Sequence, residues 1–454
     1  KPLMVFSLLI WVVVIIIYAL VGQPGLHGES LFVIMKDQVN LSEVNAIIDP
    51  IQKRDYVYLN STDFAAKSQA NLTSFLTQFR IEYQPYYLVN ALEVNTGPFW
   101  KWIIEQRDDV DRVLQNPNLR PLPEEIPVKS GNETSVNEPL WSLDMIGVYQ
   151  VWEDFNVYGS GIIIGQADSG VDGNHPALRE QFVGAKYNTN YAWYDPWFET
   201  NFPQDISGHG THTLGTILGK KVGIAPDAEW IGCVNLGRNL GNPAIYLSCM
   251  QFLFAPFPDD GDPFTEGKPE LGAQILNNSW GCPEIEGCDA LVFEQAVSAL
   301  RSAGVFVVSS AGNNGYYGCE SISDPLAIYE DVFTVGAIDK IGELSQFSSL
   351  GPVTVDDSGS IKPDLVAPGE DIFSSMPYAS YAILSGTSMA GPHVVGTVAL
   401  MWSANPELIG QISLTEKILF NTANHYEGMV PACVDSTSRP NNAVGFGVLN
   451  TYKA

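Results

Sequence analysis

Four short apolar segments beyond residue 160 place the strongest constraint on the fold of the chain. They alternate with stretches of helical character and contain almost no charged residue, at 162–164, 230–234, 274–276 and 305–308. Strands that are apolar on both faces are typical of a parallel sheet covered on both sides. The sequence therefore predicts an α/β unit over residues 141–454, built on a parallel β-sheet flanked by helices.

A smaller unit is predicted before it, over residues 29–120. Its pattern alternates between strand and helix, with a strand at 30–35, helical spacing over 64–79, strand character over 81–94 and a second helix over 99–114. This order predicts a small α+β domain of the ferredoxin-like kind. Residues 121–140 are rich in proline and polar residues, which predicts an exposed linker that is easily cut.

The first residues form an apolar run. Residues 3–21 are interrupted only by Ser7, and at about 1.5 Å per residue a helix of this length crosses the hydrocarbon core of a bilayer. Because the run is long for a signal peptide and lacks a clear cleavage site, we expect residues 1–24 to be a retained transmembrane signal anchor. A cleaved signal peptide is the alternative.

Six cysteines, all in the second half, bear on the compartment. Their even number and the absence of a CxxC pair indicate disulfides in an oxidising compartment, and buried free thiols are the alternative. Cys282 and Cys288 are the nearest candidate pair. The larger unit is therefore expected on the exported side of the membrane, in the periplasm or outside the cell. The 51 acidic and 23 basic residues argue against a nucleic-acid partner, which requires a basic face.

Three polar loops carry candidate catalytic residues. Asp168 follows an apolar strand, His209 lies in a turn of small residues, and Ser388 opens an apolar helix. In a parallel sheet, such loops meet at the carboxyl ends of the strands. A serine hydroxyl needs a neighbouring base, for which histidine is suited, and an acid can orient that histidine. The three residues therefore predict acyl transfer.

The motifs around these residues resemble one family. Asp168-Ser-Gly, His209-Gly-Thr-His and Gly386-Thr-Ser388-Met-Ala, in this order, are similar to the subtilase family of serine endopeptidases, and the similarity extends over 141–452. Residues 277–282 resemble the bacillopeptidase F-like branch. The resemblance implies an Asp-His-Ser triad that hydrolyses peptide bonds of proteins through an acyl-enzyme, with no cofactor for catalysis.

The resemblance also implies substrate-binding residues and a role for the first domain. Asn313 corresponds to the oxyanion-hole amide, and the substrate-binding residues would be Ser279, Trp280, Gly281, Ala311, Gly312 and Asn314. Residues 29–120 resemble an inhibitory prodomain that acts as an intramolecular inhibitor. The linker at 121–140 would then hold the maturation site.

Other readings of the polar residues remain open. Asp259, Asp260, Asp262 and Glu266 form either a structural calcium site or a solvated acidic loop, and their spacing does not follow the EF-hand pattern. His212 and His393 are expected to be structural.

Two alternative functions also remain. The chain could be a latent or structural subunit of a membrane protein complex, with its cleft permanently blocked by the first domain. A protease that processes basic sites would need an acid-lined pocket, and Asn314, next to the oxyanion residue, supplies no charge.

Overall fold

The computed structural model describes residues 2–21, 29–117, 129–131, 139–237 and 241–454. The α-helices are α1 (Pro2–Val21), α2 (Pro50–Ser68), α3 (Ala70–Gln78), α4 (Pro98–Glu105), α5 (Trp141–Met145), α6 (Val148–Phe155), α7 (Val183–Lys186), α8 (His209–Leu218), α9 (Pro243–Phe254), α10 (Glu294–Ser302), α11 (Thr387–Ala404) and α12 (Ile412–Thr422). The strands are β1 (Glu29–Met35), β2 (Glu82–Tyr86), β3 (Ala91–Asn95), β4 (Val110–Pro117), β5 (Lys129–Gly131), β6 (Ile163–Asp168), β7 (Trp193–Tyr194), β8 (Glu229–Val234), β9 (Ile275–Asn278), β10 (Phe306–Ser310), β11 (Phe333–Ile338), β12 (Leu365–Pro368), β13 (Ile372–Met376) and β14 (Ser380–Leu384).

The large unit is built on a seven-stranded sheet in the order β12-β11-β10-β9-β6-β8-β7. Every neighbouring pair in it is parallel. Strands β10 and β11 are buried at every position, as expected for strands covered on both faces. Helix α11 packs along β9 to β12 and against α8, while α9 contacts β6 and β8. The predicted parallel sheet flanked by helices is confirmed.

The sheet brings the predicted site residues to one edge. Strand β6 ends at Asp168, its neighbour β9 is followed by Ser279, and β10, next to β9, is followed by Ala311. Because parallel strands end at the same edge of a sheet, these three loops meet there. Helices α8 and α11, which begin at His209 and Thr387, pack against each other in the same region.

The smaller unit has the order β2-β3-β1-β4 in an antiparallel sheet, with α2 and α3 between β1 and β2 and α4 between β3 and β4. This is the ferredoxin-like βαββαβ topology. The helix expected over 99–114 is wrong in its second half, because α4 ends at Glu105 and β4 follows. The helix prediction depends on Trp100, Ile103, Ile104 and Val110 sharing one face. Ile104 and Val110 do pack in the core of the small unit, but β4 pairs with β1, and this pairing makes the segment a strand.

The two units share one hydrophobic core. Phe32, Tyr58 and Tyr87 of the small unit belong to the same buried cluster as Tyr246 and Phe254 of the large unit. Polar contacts cross the same boundary. The backbone N–H groups of Tyr87 and Leu88 donate to Oε1 of Gln251, at 2.7 and 3.3 Å.

Part of the predicted linker is paired in a third sheet, which has three antiparallel strands. Strand β5 pairs with β14, whose other neighbour is β13. The rest of the predicted linker up to residue 138 and the end of the predicted anchor, residues 22–24, lie outside the described residues. Among the helices that the structure describes, none combines the length and the apolar character needed to cross a membrane.

All six cysteines form disulfides within the large unit. The pairs are Cys233–Cys249, Cys282–Cys288 and Cys319–Cys433. The disulfide prediction is therefore confirmed, including the nearest pair, and the alternative of free thiols is wrong.

Candidate active site

A buried acid and a half-buried histidine form the first pair of the site. Asp168, at the end of β6, has no exposed surface, and its Oδ1 lies 2.7 Å from Nδ1 of His209. The same carboxylate accepts hydrogen bonds from the backbone N–H of Ser169, at 2.7 Å, and from the hydroxyl of Thr213, at 3.4 Å. These donors fix the carboxylate, which in turn fixes the orientation of the imidazole.

The glycine after His209 permits this close approach. A β-carbon at Gly210 would overlap the backbone carbonyl of Gly170 and lie 2.9 Å from Cβ of Asp168. Only a residue without a side chain lets the first turn of α8 pack directly on the end of β6. The close packing of α8 on β6 thus explains why a glycine follows His209 in this motif.

Burial and charge act in opposite directions on His209. Burial lowers the pKa of His209, but the negative charge and hydrogen bond of Asp168, together with the charge of Asp205, outweigh it, so the pKa is raised above its ordinary value. An imidazolium at this position is therefore stabilised, as a general base requires once it has accepted a proton.

Ser388 is the second residue of α11, and its hydroxyl points to the strand segment after β9. Its Oγ donates to the carbonyl of Ser279 at 3.1 Å, while Oγ of Ser279 donates back to the carbonyl of Ser388 at 3.0 Å. Among the described residues, no hydrogen bond joins Ser388 to His209. The structure thus brings Asp168 and His209 into direct contact and holds the serine hydroxyl on a neighbouring acceptor.

Asn313 and the start of α11 form a pair of donors. The side-chain Oδ1 of Asn313 accepts from the backbone N–H and the hydroxyl of Thr387, at 2.9 and 3.0 Å, which leaves Nδ2 to donate elsewhere. The space where a β-carbon of Gly386 would lie is 3.5 Å from this Nδ2 and 3.7 Å from the backbone nitrogen of Ser388. Two donors therefore face one small space beside the serine, the arrangement of an oxyanion hole.

The other predicted substrate-binding residues lie in the loops after β9 and β10. Trp280 is buried and stacks on Tyr246, with ring centroids 4.0 Å apart. Gly281 follows it. On the other side, Ala311 is buried against β11, Gly312 adopts a φ of +95°, and Asn314 is exposed, with its N–H donating to Oγ of Ser349.

Two supporting acids were missed by the sequence analysis. Asp205 accepts from the N–H groups of Gly208 and Thr211, and it also accepts from the hydroxyl of Thr211, so it holds the turn that starts α8. Burial raises the pKa of Asp205, against these hydrogen bonds, which lower it. Its local signal is an aspartate two residues before Ser207, because aspartate side chains accept from the backbone N–H two residues further on, as Asp205 does at 3.0 Å.

The second missed acid is Glu286. It is buried and accepts from the hydroxyl of Tyr246 at 2.6 Å and from the N–H of Gly241 at 3.4 Å. Because Tyr246 stacks on Trp280, the hydrogen bond from Tyr246 to Glu286 helps to hold the substrate-binding segment in place. No local pattern indicates this contact, since Glu286 and Tyr246 are far apart in the sequence.

The two remaining histidines of the motifs are structural, as predicted. Nε2 of His212 lies 3.1 and 3.2 Å from the carbonyls of Ile372 and Ala382, which joins α8 to β13 and β14. Burial lowers the pKa of His212 to about 3 and that of His393 to about 4, so both are neutral.

The acidic loop at 259–266 does not fit a calcium site. The carboxylate of Asp262 accepts from the N–H of Phe264 and from the hydroxyl of Thr265, and Glu266 accepts from the N–H of Asp262. These oxygens satisfy donors of the turn itself. Among the described residues, no group of three or more His, Cys, Asp or Glu side chains is arranged to hold a metal ion.

A parallel sheet with an aspartate–histidine pair, a serine at a helix N-terminus and two convergent donors at its carboxyl edge defines a serine peptidase of the α/β class. The chain belongs to the subtilase family, whose family model matches residues 159–447. This confirms the family that the motifs resemble.

Curated relatives agree with this assignment. The chain is 32% identical to bacillopeptidase F of Bacillus subtilis (strain 168) over 439 residues, 89% of this chain but 28% of that protein. It is 32% identical to the major intracellular serine protease of the same strain, covering 63% of this chain and 81% of that protein. It is 27% identical to subtilisin-like protease 2 of Plasmodium falciparum (isolate 3D7), over 84% of this chain and 26% of that protein. The chain thus spans less than a third of the length of bacillopeptidase F.

Proposed function

We propose that the chain is a serine endopeptidase that cleaves peptide or protein substrates with Ser388 as nucleophile. The observation that carries this proposal is the 2.7 Å contact between Asp168 and His209 at the sheet edge where Ser388 and Asn313 also lie. His209 takes the proton of Ser388 and returns it to the leaving amine, and Asp168 keeps the imidazole in the required tautomer. No cofactor takes part in these steps.

The hydrogen bond between Ser388 and Ser279 suggests how substrate starts the reaction. The carbonyl of Ser279 accepts the Ser388 hydroxyl at 3.1 Å. An extended peptide that pairs with residues 279–281 brings its own N–H to this carbonyl. The Ser388 hydroxyl is then released towards His209, while the attacked carbonyl oxygen enters the space between Asn313 Nδ2 and the N–H of Ser388.

We further propose that the small unit is an inhibitory prodomain and that the chain is a zymogen. The end of β4 supports this role. The carbonyl of Pro117, its last residue, accepts from Nδ2 of Asn242 at 3.2 Å, and Oδ1 of Asn116 accepts from the N–H of Ala244 at 3.0 Å. These residues lie directly before Tyr246, which stacks on Trp280. The chain therefore leaves the small unit next to the substrate-binding segment, and a maturation site within 121–140 is proposed on this basis.

Membrane attachment and an exported location are also proposals. The apolar run at 3–21 supports a single-pass anchor, and the large apolar side chains of α1 are exposed. The three disulfides support an oxidising, exported compartment for the large unit. A membrane protein complex is a further proposed partner. A latent structural subunit is not favoured, because the acid, base and oxyanion donors of the site are all present.

Covalent labelling with a fluorophosphonate tests the proposed function. The full chain is expressed, labelled in the membrane and soluble fractions, and separated on a denaturing gel. We expect a labelled band that has lost the mass of the small unit, since an inhibitory prodomain must be removed before the probe can react with Ser388. The Ser388→Ala variant should remain unlabelled and uncut. A folded, matured wild-type chain that does not label would contradict the proposal, and an uncut, unlabelled chain would favour the latent subunit.

A further inference from the structure

We propose that Asp324 makes this site select lysine or arginine as the substrate residue that supplies the attacked carbonyl. This specificity rests on the proposed endopeptidase function. It assigns to Asp324 the acid-lined pocket that the residues next to Asn313 do not supply.

The position of Asp324 follows from its contact with the substrate-binding segment. A β-carbon on Gly281 would lie 3.1 Å from Cβ and 3.2 Å from Oδ2 of Asp324, so the carboxylate lies directly against this glycine. Gly281 is two residues beyond Ser279, whose carbonyl is 3.1 Å from Oγ of Ser388. At about 3.3 Å per residue, Gly281 lies within about 7 Å of Ser279. The carboxylate is thus about one long side chain away from the nucleophile.

The segment that carries Asp324 is tied to the substrate-binding segment. The N–H of Cys282 donates to the carbonyl of Pro325 at 2.9 Å, and Cys282 is also bonded to Cys288. Any side chain at position 281 would occupy the space in front of the Asp324 carboxylate. Glycine leaves this space to a substrate side chain.

Within the part of the chain that the structure describes, the charge of Asp324 has no counterpart. No cationic side chain of the described residues lies within ion-pair distance of it, and its one side-chain hydrogen bond comes from Ser323 at 3.4 Å. Asp324 is half-buried, and burial raises its pKa. Burial raises the pKa of Glu286, and the negative charge of Asp324 adds to this effect, so a second acid lies in the same region.

This environment favours a cationic substrate side chain over a neutral one. A lysine or arginine would pair with a carboxylate that is already partly desolvated. An apolar side chain of the same length would bury that carboxylate further without a partner, which carries a large penalty. The net charge of −28 also favours the approach of basic substrates.

Matched peptide substrates test this specificity. The matured enzyme is prepared from the full chain, and its active sites are counted with a fluorophosphonate. The peptides are identical except at the residue before the cleaved bond, where arginine is compared with citrulline and lysine with norleucine. Each pair has nearly the same shape and differs in charge. We expect kcat/KM for the charged member to be higher by about tenfold or more.

Three variants connect the preference to Asp324. Asp324→Asn should remove most of the difference between arginine and citrulline, and Asp324→Glu should keep part of it. Glu330→Gln is the matched control, because it removes the same charge from the same segment. Glu330 is an exposed acid, and it accepts a hydrogen bond from Ser360. This control should keep the full ratio.

The outcomes separate the two proposals. An enzyme that labels and cleaves citrulline and arginine peptides equally well overturns the specificity alone, as does an unchanged ratio in Asp324→Asn. A folded, matured enzyme that does not label overturns the proposed function and the specificity with it. Should Asp324→Asn fail to mature, the wild-type ratio and Asp324→Glu decide the question.

Discussion

At His209, a single carboxylate determines both the geometry and the protonation of the base. Without Asp168, burial alone would lower the pKa of His209, and the ring could adopt either tautomer. With Asp168 at 2.7 Å, Nδ1 holds the proton, Nε2 is left as the base, and the pKa is raised. Because only the neutral ring can accept the proton of Ser388, activity is present above this pKa and is lost as the pH falls through it.

The variant Asp168→Asn tests this arrangement. We expect kcat to fall by about 10⁴-fold, because an amide orients the imidazole in the wrong tautomer, a cost known from this class of triad. In the wild type, kcat/KM should rise with pH through an apparent pKa above 6.5, the ordinary value for histidine. The measurement is a pH profile of both proteins with active sites counted, and Ser388→Ala gives the baseline. An acid limb below 6.5 in the wild type would contradict the raised pKa.

The site residues that could be predicted from the sequence are those that lie in a recognisable short motif. Asp168, His209 and Ser388 each lie in a short motif of small residues, and the structure places them at one edge of the sheet. Asp324 and Glu286 carry no such motif. Their contacts with Gly281 and Tyr246 arise only when loops from different strands meet, so the sequence could not predict them.

Among the elements, the disulfide loop at 282–288 acts as a support for the substrate-binding segment. It carries Glu286, which holds Tyr246 beneath Trp280. Burial raises the pKa of Glu286 to about 7, against the hydrogen bonds from Tyr246 and Gly241, which lower it. The loop is therefore stabilised most when this carboxyl is protonated.

We expect the variant Glu286→Gln to change how stability depends on pH. The wild-type contribution of Glu286 is fully present below its unfolded pKa of about 4.3 and is lost as the pH rises through about 7. Glutamine stays neutral, so the variant should gain stability relative to the parent between pH 5 and pH 8. The melting temperatures of both proteins, each carrying Ser388→Ala to prevent self-cleavage, measure the effect. A difference that is the same at both pH values would argue against it.

The elements also show where periodicity misleads. Continuous apolar strands predicted the parallel sheet correctly, because few other structures bury both faces of a strand. The prediction of a helix over 99–114 is wrong for β4, because the apolar residues of this segment do not reveal its pairing partner β1, which is far away in sequence. The prediction failed because pairing with a distant strand, and not the local sequence pattern, determines the structure of these residues.

For the molecule as a whole, one buried cation joins the two units. Arg54 of α2 is buried and donates to the carbonyls of Phe254, Pro269 and Ala273 in the large unit, at 2.9 to 3.0 Å. Burial lowers its pKa to about 10, so it remains charged at neutral pH. Its charge is compensated by backbone carbonyls and the face of the Phe254 ring, and no carboxylate of the described residues is in direct contact with it. Arg54 therefore holds the small unit on the large unit through buried hydrogen bonds.

The variant Arg54→Met should loosen the small unit from the large one. Three buried carbonyls would lose their donor, at about 1 kcal/mol each, so the amides of α2 should exchange with deuterium about a hundredfold faster. Hydrogen exchange on the full chain with Ser388→Ala measures this directly. Lys67→Met on the same helix is the control, because Lys67 is exposed and its pair with Asp63 contributes little. Equal exchange of α2 in both variants would mean that the shared apolar core, rather than Arg54, holds the two units together.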